Sequence, residues 1–81
     1  MERKKIELIF NRVKDELQKA MEKYPPIHSA HEGWAVIQEE FSELQEAIRK
    51  EDPNLTAKET THVAAMAIRF LLDLYEYPEI L

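Results

Sequence analysis

Four side chains hold most of the chemistry that this sequence can offer. Glu40 and Glu43 stand three residues apart, and so do Glu59 and His62. An α-helix turns about 100° per residue, so each pair falls on one helix face. Two carboxylates side by side repel each other, and burying them is costly unless a cation compensates them. Two helices that each present such a pair, packed antiparallel, would set four ligands around one small cavity. Oxygen-rich sets of this kind suit Mg²⁺ or Mn²⁺, ions that keep several waters and bind substrate phosphates. Spacing alone leaves plainer readings open. Glu39, Glu40 and Glu43 also describe a solvated acidic helix surface. Glu59 also reads as a capping-box acid favoured by the helix dipole, and His62 as a packed or capping residue.

The elements that must position these residues are legible as three helices. The first is expected from about Glu2 to Lys23, with Ile6, Ile9, Phe10, Val13, Leu17, Ala20 and Met21 at helical spacing. Pro25-Pro26 ends it. The second follows Ser29, which forms a capping box with Glu32, and runs to about Lys50. The third is expected from near Thr56, capped by Thr56 and Glu59, to about Tyr75, before Pro78. On the second helix the stripe Trp34, Ile37, Phe41, Leu44 and Ile48 is expected to face the core. Glu40 and Glu43 share a second face with Gly33, Val36 and Ala47, while Glu39 leans towards solvent. The third helix is apolar almost all round from Val63 to Leu74, which predicts burial on several sides. Arg69 and Asp73 form an i,i+4 pair that can bridge.

Composition narrows the class. The chain has 81 residues, 44% hydrophobic and 33% charged, with one Gly and no Cys. It reads as a single folded helical domain without disulfide or thiolate staples. That length lies near the lower limit for a self-sufficient core, and the over-apolar third helix has too few partners in one chain. The expectation is an all-α, three-helix chain forming an oligomeric helical bundle, as a homodimer or homotetramer. A formal net charge of -5 argues against a nucleic-acid polymer as partner, since that needs a basic stripe. It leaves nucleotides open, because a metal can bridge acidic protein and acidic phosphate. No run resembles a signal peptide or reaches the roughly 18 residues of a membrane span. A cytoplasmic protein without a membrane role is expected.

The stretches "SAHEGWAVIQEEFSELQEAIRK" and "KETTHVAAMAIRFLLDL" resemble the MazG-like family of the all-α nucleoside triphosphate pyrophosphatase superfamily. The family pattern is E-E-x-x-E, a gap, then E-x-x-D. Glu39-Glu40-x-x-Glu43 matches the first half, and Glu59-x-x-His62 matches the second in its Glu only. The resemblance covers about residues 28 to 74. It implies Mg²⁺-dependent hydrolysis of (d)NTPs to the monophosphate and pyrophosphate, by dimers or dimers of dimers. It also implies that Glu40, Glu43 and Glu59 ligate the metal, with His62 standing where the family has Asp. Neutral His suits Mn²⁺, Fe²⁺ or Zn²⁺ better than Mg²⁺. Glu39 would be an outer-shell acid or the base that activates water. Lys14 or Arg69 would contact phosphate, and Trp34 or Phe70 would stack on a base. Core packing is the simpler role for both aromatics.

Two rival functions follow from the same residues. Loss of catalysis at His62 would leave a catalytically weak or inactive homologue acting as an oligomeric interaction module. Glu59-x-x-His62 also reads as the Glu-x-x-His element of a di-iron carboxylate bundle, completed by a second chain.

Overall fold

Proline and side-chain caps divide the chain. The computed structural model describes residues 2–75, which form three α-helices: α1 (Glu2–Lys23), α2 (Ala30–Arg49) and α3 (Pro53–Leu74). No strand occurs among the described residues, as the all-α expectation required. None of these helices is long and apolar enough to cross a membrane. α2 opens as expected: Ser29 has extended backbone, and its hydroxyl accepts from the Glu32 N–H at 3.1 Å.

α3 opens earlier than expected. Its cap is Asp52, whose carboxylate accepts from the Leu55 N–H at 3.0 Å, not Thr56. Pro53 then sits in the first turn, where its missing N–H is no loss and its fixed φ suits a helix. The proline starts the helix instead of preceding it. Between α2 and α3 the chain reverses through Lys50, Glu51 and Asp52. Glu51 adopts a left-handed φ of 55°. Its N–H donates to the Ile48 carbonyl at 3.0 Å, and that of Asp52 to Ala47 at 3.4 Å. This is a Schellman ending, with Glu where Gly is usual.

α3 is the central element. It packs against both α1 and α2, which do not pack against each other among the described residues. The central position agrees with its apolar circumference. α2, however, faces α3 differently from the expectation. Its inward residues are Gly33 and Ala47, both buried, with Glu40 half-buried between them. The Phe70 ring lies directly on Gly33, so that a Cβ there would collide with its Cδ2 and Cε2 atoms. Trp34, Phe41 and Ile48, expected in the core, are about half exposed on the opposite side, while Ile37 and Leu44 are intermediate. The physical reason is distance: small residues let two helix backbones approach closely, and the bulky stripe is left outside. Among the described residues, Val13, Ile27, Ala47 and Ala65 are the buried apolar ones, and no large side chain is fully buried. Ile6, Ile9 and Phe10 on α1, and Leu71 and Leu72 on α3, are also exposed.

One buried ion pair ties the layers together. Arg69 is only 4% exposed. Its Nη1 and Nη2 donate to the carbonyls of Ala20 at 2.8 Å and Tyr24 at 2.9 Å, at the end of α1. Its Nε donates to Asp73 at 2.9 Å, and the same Asp73 oxygen accepts the Ile27 N–H at 2.8 Å. A cation thus caps the negative end of the α1 dipole.

Candidate metal centre

The two i,i+3 pairs meet between α2 and α3. Glu40, Glu43, Glu59 and His62 each offer one ligand atom, and these atoms lie within 4.8 Å of one another. His62 Nδ1 stands 3.3 Å from Glu59 Oε2 and 3.7 Å from Glu40 Oε2. Those two carboxylate oxygens are buried and have no hydrogen-bond partner. Glu59 is itself buried, Glu40 and His62 are half-buried, and Glu43 is exposed at the rim. Burial pushes the Glu40 carboxyl above its ordinary value. The negative charge of Glu43 adds to this, His62 opposes it, and Glu59 and a hydrogen bond with Glu43 raise it further.

This donor set fits a divalent cation. Ligands bound at about 2.1 Å to one ion are about 3.0 to 4.2 Å apart, from adjacent to opposite positions. The spans of 3.3 and 3.7 Å fall inside that range. The widest, 4.8 Å, needs only a small closure. Three carboxylates also supply the negative charge that such an ion neutralises, and the orphaned oxygens gain a partner.

A cleft of about 140 Å³ opens beside the cluster, between α1 and α2, with α3 as its floor. Glu40 and His62 line it on one side and Lys19, Lys23 and Tyr24 on the other. Lys23 Nζ stands 5.7 Å from the centre of the Tyr24 ring, and Lys19 Nζ 3.5 Å from Glu16. The cleft brings acidic and basic side chains together.

The other candidates lie elsewhere. Glu39 and Trp34 are exposed and line a shallow groove on the outer side of α2, together with Phe41 and Ile48. Phe70 packs on Gly33 and lies 6.1 Å from the Tyr75 ring. The guanidinium of Arg69 is fully engaged at the end of α1. Lys14 is exposed on α1 and does not line the cleft, where Lys19 and Lys23 take that place. Glu16 is the residue that sequence reading missed: its carboxylate stands 3.1 Å from His62 Nε2. Its signal was available, since Glu16 is three residues from Val13 and four from Ala20, both on the inward stripe of α1.

Compared with family models, curated proteins and solved structures, the chain matches none. The site is described by its own residues.

Proposed function

We propose that the chain is a divalent-metal-dependent nucleoside triphosphate pyrophosphohydrolase of the MazG-like kind, acting on (d)NTPs and working as a homo-oligomer. The observation that carries this is the convergence of Glu40, Glu43, Glu59 and His62, with two buried carboxylate oxygens left without donors. Water would cleave the α–β anhydride to give a monophosphate and pyrophosphate. A bound Mg²⁺ or Mn²⁺ would polarise the phosphoryl oxygens and neutralise the leaving pyrophosphate. Glu40, Glu43 and Glu59 would hold that ion from α2 and α3. Lys19 and Lys23, across the cleft, would meet phosphate charge, and Tyr24 lines the cleft beside them. The exposed stripe of Trp34, Phe41 and Ile48 supports the oligomer, because soluble monomers rarely leave such a surface open.

The test is a pyrophosphate-release screen over all NTPs and dNTPs, with Mg²⁺ and with Mn²⁺. Release is expected from at least one nucleotide, and no release from any would sink the enzyme. Glu40→Gln and Glu43→Gln should each abolish turnover while leaving the circular dichroism spectrum unchanged.

One observation favours a second reading, a catalytically weak relative. His62 lies within 4 Å of three carboxylates, so a protonated ring could occupy the place of the cation. In that case the wild type stays silent and His62→Asp gains Mg²⁺-dependent activity.

A further inference from the structure

We propose that the first half of α1 docks on the outer groove of α2 in a second copy of this chain, each copy lending its helix to the other. The proposal rests on the homo-oligomer named above and deepens it by saying which surfaces meet.

Val13 is the first buried residue of α1, and every described residue before it is exposed. A stretch of helix as short as Glu2 to Arg12 is marginal in water unless an apolar face is packed. It has such a face. Ile6, Ile9 and Phe10, exposed by 49 to 66%, continue the stripe that carries Val13 and Leu17 towards α3. Its own α2 does not cover them. α1 and α2 do not pack together among the described residues, and Arg69 ties the far end of α1 to α3. α2 in turn carries an uncovered groove lined by Trp34, Phe41, Leu44 and Ile48. At 1.5 Å per residue the groove runs about 21 Å from Trp34 to Ile48, and the half-helix is about 15 Å long, so one accommodates the other.

Charge selects this pairing over the symmetric ones. On α1, Lys5 and Arg12 stand seven residues apart along one edge of the apolar stripe, and Arg3 and Lys14 border the other edge with Glu7. On α2, the exposed Glu32, Glu39 and Glu46 repeat every seven residues, Glu39 lines the groove, and Arg49 is the only Lys or Arg. Flanking charges at heptad spacing choose partner helices. α1 against α1 would face bases with bases, and α2 against α2 acids with acids. Only α1 on α2 faces bases with acids. Exchange in both directions makes a closed two-fold pair.

The chain's single Trp lies in the groove, so its fluorescence reports docking. The experiment follows sedimentation and Trp34 emission of the full chain over a dilution series. Dissociation should shift Trp34 emission to the red. Phe10→Ala, on another helix, should weaken association about tenfold or more and move that shift to higher concentration. Two charge variants, each checked for helicity, complete the test: Lys5→Glu with Arg12→Glu, and Glu39→Lys with Glu46→Lys. Each alone should weaken association about tenfold. Their equimolar mixture should associate again as a heterodimer, because every α1 then meets an α2 of opposite charge. Weakening by only one of the two variants, or an oligomer that forms while Trp34 keeps the emission of a water-exposed ring, would overturn this interface and leave the homo-oligomer standing. A chain that sediments as a monomer at every concentration would overturn both.

Discussion

α3 carries two buried polar groups, and they are opposites. Around Arg69 every guanidinium nitrogen has a partner: the Ala20 and Tyr24 carbonyls at the end of α1 and the Asp73 carboxylate, which in turn accepts the Ile27 N–H. Around His62, one ring faces three carboxylates, and Glu40 and Glu59 each keep a buried oxygen without a donor. Buried polar groups are normally satisfied, so the exception asks for an explanation. The first group is complete without a ligand and acts as a joint between helices. The second leaves two acceptors open, and a metal ion could be held among its side chains. The same helix thus supplies the scaffold and the site, and satisfaction of hydrogen bonds separates the two.

The sharpest break in this contrast is Arg69→Met. It strands Asp73 and the α1 carbonyls, and should cost about 3–5 kcal/mol in urea unfolding. Adding Asp73→Leu should recover part of that loss, because an apolar pair avoids the stranded charge. The His62 side should respond to an ion instead. Mn²⁺ at 100 times its Kd should stabilise the wild type by about 2.7 kcal/mol in thermal melts, and Glu59→Gln should lose that response while melting at or above the metal-free wild type. Between the two groups, Gly33→Val drives a side chain into the Phe70 ring and should cost about 1–3 kcal/mol. The smallest effect concerns Glu40 in metal-free protein. Its carboxyl is raised in the fold, so its charge is a penalty above the folded value. That penalty fades as pH falls towards the ordinary carboxylate value, where folded and unfolded chains are both protonated. Glu40→Gln should therefore raise stability at neutral pH and flatten its rise on acidification.

Much of the architecture was open to a reading of the sequence, because its signals are local. Three helices follow from periodicity and proline, and the Ser29 cap from its place before an apolar pattern. The two i,i+3 pairs were visible because helix geometry alone puts them on one face. What escaped depended on neighbours. The orientation of α2 is decided by how closely Gly33 and Ala47 let it approach α3, whereas hydrophobic size pointed to Trp34 and Phe41. Asp52 and Pro53 were hidden by a competing Thr56-x-x-Glu59 pattern. Arg69 offered both a phosphate contact and a bridge to Asp73, and the bridge is what the packed chain contains. The place of Glu16 on the inward stripe of α1 was legible from its spacing to Val13, but its partner, His62 on another helix, was not.

The left-handed turn at Glu51 also works as a ruler. Glu43 and Glu59 lie eight residues to either side of it, and Glu40 and His62 lie eleven. In an antiparallel hairpin, residues equidistant from the bend come level. The reversal therefore sets which carboxylate meets which partner across the seam. One residue added to the turn would advance one strand of this ladder by about 1.5 Å and about 100°. Both helices would survive, and the four side chains would no longer share a rung.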